Sequence, residues 1–239
     1  MLIKEDKSYL TTTDKKAIEQ GIAVLAVHSI RLDRHYTEEE KKQNLQQAQK
    51  MSSEEYNKMV RATACKLGER HKVALDALEQ SGLVLGQYHH PADLNTDYDL
   101  WFWCNCRTEY KTDDDPNGRD LSYVTLSLNS ERRTLEQCNT IVETAIEVLK
   151  KIEAVNSVAI IQYEAIYYKD KLREAATAFA ESCAGKFVNY GFEVGKIVKI
   201  DPEYNGGYEY GFKKKHAKTS GYCLSMQELY SISLDYQGA

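Results

Sequence analysis

The sequence of 239 residues predicts an α+β protein, in which an N-terminal helical segment precedes a mixed or antiparallel sheet with helices packed on one face. Three observations support this class. Apolar residues recur at helical spacing through the first third, short strand-like runs begin after Gly82, and two helical stripes interrupt those runs. Strands in runs with helices between some of them favour α+β. The predicted order after the helical segment is β-β-β-α-β-α-β-β.

The helical segment is predicted over residues 1–82. Asp14 is a candidate N-cap, and the apolar residues of the helix after it share one face. These residues are Ile18, Ile22, Leu25 and Leu32. Thr37 with Glu40 has the spacing of a capping box and begins an almost entirely polar helix that extends to Lys50.

A second capping box, formed by Ser52 with Glu55, begins a longer helix that ends before Gly82. Its predicted buried stripe is Tyr56, Met59, Val60, Thr63, Leu67, Ala74, Leu75 and Leu78. The boundary at Gly82 divides the chain into segments 1–82 and 83–239, with a single domain as the alternative.

Residues 83–239 are predicted to form the sheet domain. Strands are expected over residues 83–88, 97–110, 120–128, 158–168, 187–200 and 208–214. One helix is expected to begin at Ser130 or Thr134, and another over residues 170–184. The last two strands form a predicted hairpin, because Gly206 and Gly207 lie between them. The last twenty residues are compatible with a short helix or a strand.

Composition limits the classes of function. The net charge of −5 argues against general nucleic-acid binding but leaves room for a local basic patch. The six cysteines include no C-x-x-C pair, and no apolar run is long enough to span a bilayer. The N-terminus has no apolar leader. These features predict a cytoplasmic protein with free thiols and no membrane partner.

The strand that contains both tryptophans begins with two carboxylates. Asp97 and Asp99 alternate along the strand and therefore point to one face, where they could bind Mg²⁺ for phosphoryl transfer. With the preceding Leu85-Gly86-Gln87, this pattern resembles that of the nucleotidyltransferases. It departs from that pattern because Gln87 stands where the family has Ser. The third carboxylate is unassigned, with Asp120 and Glu164 as candidates, and an acidic strand entrance is the structural alternative.

Three further patterns compete with the first. Asp99 with Glu109 and Lys111 resembles the core of the restriction-type nucleases, although about 30 Å would separate the groups on one continuous strand. A second pattern resembles the start of a calcium loop but lacks the final Glu, and it is formed by Asp113, Asp115 and Asn117. The third is His89 and His90 with Asp93, which could bind metal, but neighbouring histidines do not easily face one ion and the pattern favours a polar loop.

Lysines and aromatic residues cluster near the C-terminus and predict a binding hairpin. Its candidate residues are Tyr204, Tyr208, Tyr210, Lys213, Lys214, Lys215 and Lys218. Aromatic rings can stack on bases while lysines hold phosphates, although lysines also protect the edges of sheets.

Incomplete catalytic patterns and heavy use of tyrosine favour a non-enzymatic cytosolic protein that binds another macromolecule. An inhibitor or modulator of a nucleic-acid-handling complex fits this description, since acidic arrays can occupy basic channels. The expected partner is a protein or a protein–nucleic-acid complex. The alternatives are a Mg²⁺-dependent phosphoryl-transfer enzyme that uses Asp97 and Asp99, and a nucleic-acid binder that uses the lysine-rich hairpin.

Overall fold

The computed structural model describes residues 1–87, 97–104, 123–130, 133–154, 156–216 and 221–236. Within them, the helices are α1 (Thr12–Glu19), α2 (Glu38–Ala48), α3 (Ser53–Gln80), α4 (Leu135–Lys151), α5 (Lys169–Ser182) and α6 (Met226–Asp235). The strands are β1 (Leu2–Asp6), β2 (Ala23–Arg34), β3 (Leu85–Gln87), β4 (Leu100–Cys104), β5 (Val124–Leu128), β6 (Ser157–Tyr167), β7 (Val188–Tyr190), β8 (Glu193–Lys199), β9 (Tyr210–Lys214) and β10 (Tyr222–Leu224). The α+β class is confirmed.

The strands form two sheets. The first has six strands in the order β1-β6-β2-β5-β4-β3, and the second has four in the order β10-β9-β8-β7. The first sheet is mixed, because β1 pairs parallel with β6 and β3 parallel with β4, whereas β5 pairs antiparallel with β2 and β4. The second sheet is antiparallel throughout.

The prediction of one helix from Asp14 to Leu32 is wrong. The first helix begins after the N-cap Thr11, and Asp14 completes the capping box from the N3 position. It ends at Glu19, and Gly21, with φ +68, follows it. Ala23–Arg34 then form β2, which includes the β-branched residues Val24, Val27 and Ile30. Of the apolar residues that suggested one helical face, Ile18 therefore lies in α1, Ile22 lies in the turn, and Leu25 and Leu32 lie in β2.

Clustering of contacts divides the chain into two compact units. Unit 1 comprises Met1–Tyr9 and Ala26–Glu164, and unit 2 comprises Leu10–Leu25 and Ala165–Ala239. Segments 1–82 and 83–239 therefore each contribute to both units. The N-terminal segment supplies two strands of the six-stranded sheet, β1 and β2, besides its helices.

In unit 1, two helices cover the same face of the six-stranded sheet. Side chains of β2 and β5 that are paired across the strands lie on this face, as Ile30 pairs with Leu126 and Leu32 with Val124. They share one apolar core with the second half of α3 and with α4. The helical contributors include Ala74, Leu75, Leu78, Ile141, Ala145 and Leu149. The inner strand β4 pairs on both sides, with β3 and β5.

The long stripe of α3 is buried over only part of its length. Ala74 and Leu78 are fully buried, whereas Tyr56 is 40% exposed and Val60 is 43% exposed. The prediction of one continuous buried face is therefore wrong for the first half of the helix. Helical spacing identifies which residues share a face, but it does not show how much of that face another element covers.

In unit 2, the four-stranded sheet packs one face against α5 and α6. Fully buried Phe212 lies at the centre of this core, and its ring centroid is 5.4 Å from that of Tyr190. The predicted hairpin is confirmed as β8 paired with β9. The C-terminal residues, which were compatible with a helix or a strand, form one of each, β10 and α6.

A hydrogen-bonded pair fixes α6 beside β7. The Tyr190 hydroxyl donates to Glu228 Oε1 at 2.6 Å, and this bond raises the pKa of Tyr190 to about 12. Burial would raise the pKa of Glu228. Hydrogen bonds from Tyr190 and from the backbone and hydroxyl of Ser225 outweigh burial, so the pKa lies below its usual value. The carboxylate therefore caps the helix in its charged form.

Candidate functional site

The carboxylate at the entrance of β4 is a structural anchor. Asp99 Oδ2 accepts a hydrogen bond from Val84 N at 2.9 Å, and Asp99 Oδ1 accepts one from Arg133 Nη2 at 2.9 Å. Arg133 also donates to the backbone oxygens of Asn129 at 3.0 Å and of Asp97 at 3.3 Å. Asp99 thus joins the segment before β3 to the residue that precedes the cap of α4.

The glycine of the nucleotidyltransferase-like pattern also has a packing explanation. Gly86 lies within β3, where it pairs with Trp101 of the parallel strand β4. A Cβ atom at this position would lie 2.0 Å from Cδ2 of Tyr98, whose ring contacts Trp101 edge-on with centroids 5.0 Å apart. The strand needs glycine here because the ring of Tyr98 occupies the space of a side chain.

The third candidate carboxylate lies far from the first two. Glu164 is on β6, where its Oε2 lies 3.4 Å from Nδ1 of His28. Strands β2 and β5 separate β6 from β4, and three strand spacings of about 4.8 Å give roughly 14 Å. In the described residues, no three His, Cys, Asp or Glu side chains are grouped so that they could hold a metal ion. The structure does not bring Glu164 to Asp97 and Asp99.

We expect Asp99→Ala to lower the free energy of unfolding by about 2 kcal/mol, because it removes the carboxylate that accepts hydrogen bonds from both Arg133 and the Val84 amide. Asp97→Ala is the matched control, since its carboxylate is exposed, and its effect should stay within about 0.5 kcal/mol. Urea unfolding of the two variants, with and without Mg²⁺, measures their losses of stability. Equal losses in the two variants would contradict the structural role.

Several candidate residues fall outside the described part of the chain. They are His89, His90, Asp93, Glu109, Lys111, Asp113, Asp115, Asn117, Asp120 and Lys218. The nuclease-like, calcium-loop and histidine patterns, and one lysine of the hairpin, therefore stay predictions. The described candidates are the two aspartates, Glu164 and most of the lysine-rich hairpin.

The structure places some hairpin candidates in the core or in an ion pair and leaves others exposed at the surface. Tyr210, a candidate for stacking on bases, is only 6% exposed and belongs to the core of unit 2. Lys214 forms an ion pair with Glu193, and its ammonium lies 5.0 Å from the ring centroid of Tyr222. The hydrogen bond to Glu193 raises the pKa of Lys214. By contrast, Tyr204 is 85% exposed in the loop after β8.

The opposite face of this sheet carries a group of lysines around an aromatic ring. In β8 and β9, alternate residues such as Ile197 and Phe212 enter the core, so the intervening ones point outward. We call this surface the outer face, and it comprises Phe187, Val194, Lys196, Val198, Lys213 and Lys215. Phe187 and Val194 are 42% and 45% exposed.

Three positive charges are concentrated on the outer face. Lys196 and Lys213 are directly paired across β8 and β9, which places like charges opposite each other. Lys196 Nζ lies 4.7 Å from the ring centroid of Phe187, and Lys215 Nζ lies 5.5 Å from it. In the described residues none of the three lysines forms an ion pair. Like charges that face each other across two strands destabilise a sheet. The arrangement therefore favours the binding of an anionic partner over the stability of the fold.

Sequence reasoning missed Phe187 and Lys196. Both lie in residues 187–200, which the sequence predicts as a strand. Within that strand, only the alternation of Val194, Lys196 and Val198 indicates which face is exposed. The lysine cluster at residues 213–215 was visible in sequence. Its pairing with Lys196 depends on the register of the hairpin, which the sequence did not specify.

Comparisons with models of protein families, with curated proteins and with solved structures found no match to this chain. None of the helices in the described part of the chain combines the length and the apolar character needed to cross a bilayer. Among the described residues, Cys138, Cys183 and Cys223 are free thiols. The outer face is thus the strongest candidate site that the geometry itself offers.

Proposed function

We propose that this chain is a non-enzymatic macromolecule-binding protein of the cytoplasm, and that its outer face binds single-stranded nucleic acid in a nucleic-acid-handling complex. The observation that carries this proposal is the directly opposed pair Lys196 and Lys213, grouped with Lys215 around the exposed ring of Phe187. The free thiols support a reducing compartment.

The chemistry of the outer face matches a single strand. Three ammonium groups can neutralise successive phosphates, and an exposed aromatic ring offers a stacking surface for a base. The net charge of −5 means that attraction is local rather than spread over the whole protein. With so few charges, we expect modest affinity and a salt dependence that corresponds to about three phosphate contacts.

Phosphoryl transfer stays a prediction. It would need Asp99 to bind a metal ion while both of its carboxylate oxygens accept protein hydrogen bonds. A role as an inhibitor of a protein complex also stays a prediction. The outer face favours the nucleic-acid component of such a complex because its charge is positive.

Fluorescence anisotropy with a labelled oligonucleotide of about 16 nucleotides tests the proposal. A duplex of the same sequence and poly-glutamate serve as competitors. We expect the single strand to bind more tightly than the duplex or poly-glutamate. Phe187→Ala should weaken the binding of the single strand by about tenfold, because the stacking of a base on the ring is lost. If poly-glutamate competes as well as the unlabelled strand, or if Phe187→Ala binds normally, the nucleic-acid assignment is wrong.

A further inference from the structure

A cavity of about 500 Å³ in unit 1 belongs to none of the sites described above. It is lined by α2, by the first half of α3, by the end of β2 and by Tyr123. The apolar lining comes mainly from Leu45, Tyr56, Met59, Val60 and Leu67. Its volume falls within the range of sites for small organic ligands.

The apolar wall is continuous with the core stripe of α3. Tyr56, Met59 and Val60 follow the same helical spacing as Ala74 and Leu78, which pack against the sheet and α4. The first three side chains are at least partly exposed, whereas Leu67, farther along the stripe, is only 6% exposed. On the other side of the cavity, Leu45 of α2 is 63% exposed, and α2 buries no residue. An apolar surface of this kind is stabilised when a ligand covers it.

The rim of the cavity carries two cations. The guanidinium of Arg34 lies over the ring of Tyr36 at 4.2 Å, and its Nη1 donates to the Tyr36 hydroxyl at 3.2 Å. This contact fixes the guanidinium in place beside the cavity. Lys41 lies at the same rim and pairs with exposed Glu38.

Carboxylates near the rim are already engaged. Asp33 Oδ2 lies 3.5 Å from Arg31 Nη2, and Glu40 accepts the hydrogen bonds of its capping box from Thr37. The hydrogen bond from the Thr37 backbone is the main cause that lowers the pKa of Glu40, and the charge of Arg34 adds to it. The positive charge at the rim therefore comes mainly from the oriented guanidinium of Arg34, because Lys41 is paired with Glu38.

We infer that this cavity binds an amphipathic carboxylate, with its hydrocarbon chain against the α3 stripe and its carboxylate at Arg34 and Lys41. A planar guanidinium held by an aromatic ring presents paired N–H donors that match a carboxylate. A slender hydrocarbon can lie against the apolar side chains that the two helices contribute to the lining, such as Leu45 of α2 and Val60 of α3. The inference is independent of the outer face, which belongs to unit 2.

Isothermal titration calorimetry of the full chain with decanoate, and with decan-1-ol as the uncharged match, tests this inference. We expect decanoate to bind about tenfold more tightly than the alcohol. Arg34→Gln should weaken the binding of decanoate by about five- to tenfold and leave the binding of the alcohol unchanged. Equal binding of the two ligands, or no decanoate binding at about 1 mM, would overturn the inference.

Two valines on α3 provide a matched pair of variants. Val60→Asp places a carboxylate in the cavity wall, whereas Val73→Asp makes the same change at a 57% exposed position outside it. We expect at least about tenfold weaker decanoate binding in the first variant and no change in the second. Leu45→Asp on α2 repeats the test from the opposite wall if Val60→Asp does not fold. Equal binding by all variants would place the ligand elsewhere and overturn the inference.

Discussion

Phe212→Ala is expected to lower the free energy of unfolding by about 3–5 kcal/mol. The ring is fully buried, contacts Tyr190 and fills the centre of the unit 2 core. Gly195 on the neighbouring strand leaves the room that this ring needs, since a Cβ there would lie 2.6 Å from Phe212 Cζ. Truncation removes the apolar contacts and leaves a cavity that the paired strands cannot close.

Phe192→Ala is the matched control for this prediction. It removes the same ring from a fully exposed position in the turn between β7 and β8, so its effect should stay within about 0.5 kcal/mol. Urea unfolding followed by circular dichroism measures both variants. Phe212→Leu should show an intermediate loss because it keeps part of the buried volume. A loss below about 1 kcal/mol for Phe212→Ala would contradict the packing described for unit 2.

Reversal of the three outer-face lysines, Lys196→Glu, Lys213→Glu and Lys215→Glu together, should weaken binding of a single-stranded oligonucleotide by at least about a hundredfold. The variant replaces three phosphate contacts with three repulsive charges. The free energy of unfolding should not fall. Lys196 and Lys213 repel each other across the paired strands, and the two glutamates that replace them repel each other in the same way. Fluorescence anisotropy and urea unfolding measure the two quantities.

A triple variant with the same change in net charge at another surface shows whether binding depends on the outer face or on the net charge of the protein. Lys42, Lys66 and Lys72 are exposed residues of α2 and α3, so their joint replacement by Glu changes the net charge by the same amount. We expect this control to keep binding within about threefold of the unmodified protein. Comparable losses in the two triple variants would mean that net charge, rather than the outer face, controls binding.

Local chemistry made much of the fold predictable. The capping boxes at Thr37 and Ser52 begin α2 and α3, and Thr134, one of two predicted starts, caps α4. The error at β2 has a physical reason. Four residues at helical spacing can arise by chance across a helix–turn–strand junction, whereas pairing with β5 and β6 depends on distant residues. The parallel partner of β1 lies more than 150 residues away, which no local pattern encodes.

The candidate site was predictable only in part. The run Lys213–Lys215 is visible in sequence, but strand alternation places Lys214 on the opposite side from Lys213 and Lys215. Tyr210 looked like a binding aromatic, and burial against α5 and α6 makes it a core residue instead. The acidic entrance of β4 looked catalytic because carboxylate spacing does not reveal a hydrogen-bond partner such as Arg133, which is distant in sequence.

The salt dependence of oligonucleotide binding tests the outer-face proposal most directly. If three phosphates are neutralised, the logarithm of the association constant should fall with the logarithm of salt concentration with a slope of about −2. Lys213→Gln removes one contact and should reduce the steepness by about 0.7. A slope near zero in the unmodified protein, or an unchanged slope in Lys213→Gln, would contradict binding of a single strand through the outer face.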